Sequence, residues 1–147
     1  MKKSFIPDVV AALFILLFIY AATSKLIEFE KFKVQLAQSP LLTSFTDIIA
    51  VVIPVIENII SFALLTERYR IYGLYSAFTI MVMFTVYIVA IINFSAYIPC
   101  SCGGVLSGLN WNQHLVFNIV FVGLAATAIL LYAKQGKSEK VVLSKIA

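Results

Sequence analysis

Charge is what this chain has least of. Asp, Glu, Lys and Arg make up 12% of its 147 residues and hydrophobic residues 62%, so the charged share is roughly half that of an average soluble domain. That excludes a disordered chain and an ordinary soluble one. There is no glycine-rich phosphate loop, no G-x-S-x-G, no fixed-period repeat and no low-complexity tract, so the common sequence signs of nucleotide binding, serine hydrolysis and solenoid repeats are missing. Cysteine occurs twice and histidine once, which leaves few side chains for chemistry. The net charge of +4 is spread over chain ends and loops beside apolar runs, a pattern of membrane topology and not of a nucleic-acid footprint.

What is present is long apolar runs. Mean hydropathy is +1.01, and a spanning helix needs about 20 apolar residues. Four runs qualify, at about 7–26, 46–66, 71–97 and 111–133. They predict an all-α integral membrane protein, a single four-helix up-down bundle that fills the chain and leaves no room in it for a soluble catalytic domain. The first run also has the basic start and apolar core of a signal peptide, with Ala22 and Ser24 as the best small-residue cleavage pair. Three further spans hold the protein in the membrane in either case. Between the first two spans, Leu26, Phe29, Phe32 and Val34 alternate with charges, which predicts a helical turn or two at the interface. Asn110 and Gln113 have the spacing of a capping box, so the fourth helix is expected to begin at Trp111. Tyr69, Tyr72, Tyr97, Trp111 and Tyr132 are expected as interfacial anchors.

Lys and Arg divide eight to three across the spans: Lys2, Lys3, Arg68, Arg70, Lys134, Lys137, Lys140 and Lys145 on one side, Lys25, Lys31 and Lys33 on the other. The positive-inside rule then puts both termini in the cytoplasm, with the 98–113 loop outside. A bacterial cytoplasmic (inner) membrane is the expected location.

That loop contains both cysteines, in Pro99-Cys100-Ser101-Cys102-Gly103-Gly104. Residues two apart on a regular helix or strand do not meet as a disulfide requires, whereas a turn loosened by two glycines allows it. So small a ring would be strained and easily reduced, which points to a reversible redox pair. The same pair also reads as a permanent staple, although one closing so short a loop stabilises little. A third reading is a soft-metal site for copper or zinc, with His114 as the one available third ligand. His114 otherwise reads as a helix-end residue bonded to the loop, or as a proton carrier to a thiolate.

Glu57, near the middle of the second span, costs several kcal/mol unless paired, neutral or facing water, so it should point into the bundle. Pro54, Asn58 and Ser61 surround it in sequence, and Lys25 is within reach as a partner or free to snorkel to the headgroups. A proton relay, a wall of a quinone pocket and a buried helix-to-helix hydrogen bond are all open for Glu57. Asn93 and Tyr87 read as packing polar groups, and no cofactor is evident beyond a possible quinone.

Taken together, Ser24-Lys25-Leu26, Pro54-x-x-Glu57, the Cys100-x-Cys102 turn and Trp111-x-x-His114 resemble the MauE/DoxX group of small four-helix membrane proteins associated with redox processes. The resemblance covers nearly the whole chain. It implies that Cys100 and Cys102 correspond to a MauE-like cysteine turn and Lys25 and Glu57 to the positions shared in the first two spans. It further implies thiol-disulfide exchange or maturation of extracytoplasmic proteins, with a thioredoxin-like partner, since the chain has no such domain itself. The alternatives that remain are a non-catalytic anchor or assembly subunit of a redox complex and the soft-metal carrier. Vitamin K epoxide reductase-like proteins offer a rival analogy, but they need a Cys-x-x-Cys and a second pair, so two cysteines require an outside thiol partner.

Overall fold

The computed structural model describes residues 5–94 and 110–146. Among these, five α-helices and one 3-10 turn follow in order: α1 (Ile6–Ile27), α2 (Phe29–Gln38), the turn Thr43–Phe45, α3 (Thr46–Leu65), α4 (Arg70–Phe94) and α5 (Trp111–Ile146). Helices α1, α3, α4 and α5 are each long and apolar enough to cross a membrane. They pack in a square, α1 on α3, α3 on α4, α4 on α5, and α5 back on α1. Asp8 at the start of α1 bonds Arg70 at the start of α4 at 2.7 Å, so the diagonal pair runs parallel, as an up-down-up-down bundle requires.

The packing surface is made of small and aromatic residues. Ala11, Ala22, Ala50, Ala77, Ala125 and Ala128 are buried between helices, around Phe14, Phe18, Leu64 and Leu74. Lipid is as apolar as leucine, so association here relies on close van der Waals contact, and small residues permit it. Large apolar side chains such as Leu16, Phe62, Val86 and Leu130 are exposed around the outside, the face a bilayer would cover. Phe14 meets Phe121 edge to face, with centroids 5.2 Å apart, and so ties α1 to α5.

The helix ends follow local rules. The backbone N–H of Asn110 donates to Gln113 Oε1 at 3.0 Å, one arm of the expected capping box, and α5 begins at Trp111. Ser39 is extended (φ −78°, ψ 120°) because a residue before proline is driven from the helical region, which stops α2 ahead of Pro40. The corner is then held on the buried Ser39, whose carbonyl accepts from Leu42 and Thr43 backbone N–H groups at 3.1 Å and from Thr43 Oγ1 at 2.7 Å.

Two expectations are corrected. The connection after α1 is a ten-residue helix and its inward residues are Phe32 and Leu36, while Val34 is exposed, as is Leu26, which belongs to the last turn of α1. Lys33 ties α2 to Asp47 of α3 at 2.6 Å. The hydrogen bond and the charge of that carboxylate hold the Lys33 ammonium above its ordinary pKa. The fourth helix does not end near Ala133 but runs to Ile146 over 36 residues, roughly 54 Å at 1.5 Å per residue. Its apolar run ends where expected, but Lys134–Lys145 contains no proline and is rich in helix formers, so leaving lipid does not end the helix. Of the expected third span, 71–94 lies in α4, and its last three residues, including Tyr97, lie outside the described residues.

Gly73 marks a close approach of α4 to α3. A Cβ there would stand 3.0 Å from the backbone nitrogen and the side chain of Leu64, whereas one on Gly123 or Gly136 would meet nothing within 4 Å. Gly73→Leu should therefore destabilise the detergent-solubilised protein by about 1–3 kcal/mol, as overpacking does. Gly123→Ala should leave the melting temperature unchanged or slightly raised. Equal melting of Gly73→Leu and wild type would contradict the α3–α4 contact.

Candidate functional site

Each half of the site comes from the packing face of a helix. In α1, Phe14, Phe18, Ala22 and Lys25 are buried at steps of three and four residues, and in α3 so are Ala50, Pro54, Glu57 and Ser61. Those spacings define one face of a helix. Because α1 and α3 pack on these faces, Lys25 and Glu57 meet: Lys25 Nζ donates to Glu57 Oε1 in a buried ion pair. The Lys25 ammonium also stands 5.8 Å from the ring centroids of both Phe32 in α2 and Phe84 in α4, within cation–π range. Four helices thus converge on one ammonium group.

Asn58 and Ser61, which flank Glu57 in sequence, bond to backbone carbonyls and not to its carboxylate. Asn58 Nδ2 donates to the Pro54 carbonyl at 2.8 Å, and Ser61 Oγ to the Glu57 carbonyl at 2.9 Å. Both stay on their own helix and leave the carboxylate to Lys25. Glu57 Oε2 has no partner among the described residues.

An apolar cavity of about 440 Å³ opens beside the pair, a size typical of small-molecule sites. Its polar wall consists of Lys25, Glu57, Tyr87, His114 and Asn118; Ile53, Ile80, Met81, Phe84 and Phe117 are among its apolar lining. It lies at the end of the bundle where α1 finishes and α5 begins, roofed by Phe32 and Leu36 of α2. Tyr87 hydroxyl reaches Ser39 Oγ at 2.8 Å, connecting the cavity wall to the α2 corner.

His114 lines this cavity one turn into α5, and its backbone N–H donates to Asn110 at 2.9 Å. Its Nδ1 is buried without a partner among the described residues, as is Nδ2 of Asn118 one turn further on. Asn118 shares the face of His114, as the four-residue spacing in the sequence predicts. The signal available was a polar residue inside an apolar span, four positions from His114 on the same face. Asn93, by contrast, donates to its own helix at Val89 and lies outside the cavity. Cys100 and Cys102 lie outside the described residues. Among the described residues no three His, Cys, Asp or Glu side chains are grouped to hold a metal ion.

The matching family model is that of methylamine utilisation protein MauE, which covers residues 3–131. The chain belongs to the MauE family. Its match takes in the four spans, the polar cluster and the cysteine segment, and ends within α5. No curated protein and no solved structure matches this MauE-family chain.

Removing one partner of a buried ion pair leaves an uncompensated charge and costs about 3–5 kcal/mol, whereas replacing both by apolar residues is often neutral or stabilising. Lys25→Met and Glu57→Met should each sharply lower the melting temperature in detergent, and the double variant should recover most of the loss. Strictly additive losses would show that the two side chains do not act as a pair.

Proposed function

We propose that this MauE-family protein exchanges electrons with thiols and disulfides of extracytoplasmic proteins through Cys100 and Cys102, working with a thioredoxin-like partner. What supports the reading is the position of the polar cavity. It lies at the end of the bundle where α4 stops and α5 starts, and the segment joining those two helices is the one that carries both cysteines. A strained pair separated by a single residue reduces readily, unlike structural bridges with potentials below about −300 mV. The attacking thiolate needs a cationic or dipolar neighbour to lower its pKa, and the N-terminus of α5 is nearby in the chain. In this reading both termini face the cytoplasm of a bacterial cell and the cysteines face outward.

Replacing either cysteine by serine removes the group that resolves a mixed disulfide. Cys100→Ser or Cys102→Ser should accumulate a covalent adduct with an extracytoplasmic protein, visible on non-reducing gels and absent from the double variant. If both single variants trap nothing and the wild-type bridge resists glutathione, the pair is a staple and the protein an anchor subunit. Stoichiometric copper or zinc on the reduced protein, lost with either cysteine, would make it a metal carrier instead.

Orientation has its own test. On intact, reduced cells a membrane-impermeant maleimide should label Cys100 or Cys102. Labelling only after permeabilisation would reverse the topology and remove extracytoplasmic proteins as substrates.

A further inference from the structure

Among the described residues, three buried polar atoms around a single cavity lack partners: Glu57 Oε2, His114 Nδ1 and Asn118 Nδ2. Glu57 is 1% exposed and Asn118 3%. An unmet buried polar group costs about 1–3 kcal/mol, and lipid offers nothing to satisfy it. Such convergence implies an occupant with polar atoms at one end. A lipid acyl chain has none.

The charge of the site narrows the class. Lys25 is already balanced by Glu57, so the cavity holds no surplus positive charge for a carboxylate or phosphate and no surplus negative charge for an amine. Asn118 Nδ2 donates hydrogen bonds, and a His114 ring nitrogen can do so too, so their matching groups are neutral acceptors such as carbonyl oxygens, while Glu57 Oε2 only accepts and is matched by an O–H of the reduced, quinol form of the same ring. Around them stand the rings of Phe84, Trp111 and Phe117, which favour a flat ring. We propose that the cavity binds the ring of a lipid-soluble quinone, with its carbonyl oxygens held by Asn118 and His114.

Binding stands on the cavity alone, whereas the electron step rests on the thiol-disulfide reading above. In that step two S–H bonds of the reduced cysteine pair break and one S–S bond forms, which oxidises the dithiol. The two electrons and two protons form two O–H bonds on the quinone, which leaves as quinol. Glu57 and His114 are the groups in the wall able to hold a proton beside a carbonyl oxygen.

The sole tryptophan of the chain, Trp111, lines the cavity, so its fluorescence reports occupancy. Titrating the full-length protein in nanodiscs with decyl-ubiquinone should give saturable quenching. Asn118→Leu should weaken the affinity about tenfold, the loss expected for one buried hydrogen bond, and Asn93→Leu should leave it unchanged. An azido-quinone photolabel, applied to the wild type, should map to residues that line the cavity, within 17–25, 32–36, 49–57, 80–88 or 111–118, whether or not Asn118→Leu folds. Quenching that rises without saturation, equal affinity in Asn118→Leu, or labelling elsewhere would overturn the site in favour of partition into lipid. The double variant Cys100→Ser/Cys102→Ser should bind quinone like wild type and form no quinol. If reduced wild type binds quinone yet forms no quinol, the thiol reading fails and the site stands. Trapped mixed disulfides without quinone binding would do the reverse.

Discussion

The ion pair between Lys25 and Glu57 is the constraint on which the bundle is arranged. Each of these charges alone in hydrocarbon costs several kcal/mol, and their attraction offsets that only where geometry is good and water absent. To meet, α1 must lie against α3 with its last turn level with the middle of that helix. The ten-residue α2 and its corner at Ser39 fit this offset, returning the chain before α3 begins. Phe32 and Phe84 then cover the ammonium from α2 and α4. A cation held by a carboxylate and two ring faces fixes four helices relative to one another, a specificity that apolar packing in lipid does not supply by itself.

Much of the fold was legible because lipid makes simple demands. Four apolar runs imply four spans, and the start of α5 could be read from Asn110 and Gln113 because a capping box is local chemistry. The inward side of α2 could not. Phe29, Phe32, Val34 and Leu36 are all apolar, and which of them turns inward depends on where α3 lies, a tertiary fact. The end of α5 was misplaced for another reason: hydropathy marks where a helix leaves the bilayer, and helix propensity decides where it stops. Over Lys134–Lys145 the two signals part.

The site divided along the same line. Lys25 and Glu57 stand out in any reading of the sequence because charge within or beside a span demands a partner, and pairing them required only that both lie on packing faces. His114 stood out as the one histidine. Asn118 could be placed on the face of His114 from its spacing, whereas Phe84 was hidden, because its role arises only when α4 closes over the ammonium. Asn93 and Tyr87 illustrate the difficulty. Both are polar residues of α4 and alike in sequence context, yet one bonds its own helix and the other reaches Ser39 across the bundle.

The family's description invites the thought that the cavity is made for a small amine, and a carboxylate between two aromatic faces has the composition of an ammonium site. In this chain that place is filled. Lys25 brings its own ammonium to Glu57, over Phe32 and Phe84, where methylammonium would otherwise sit. A free amine would have to displace a tethered one, whose effective concentration is high because α1 holds it in place. It would also leave the lysine charge buried without a counter-ion. A connection with amine metabolism therefore does not need the cavity to hold the amine itself, and the polar wall that remains, His114 and Asn118, is suited to a neutral guest.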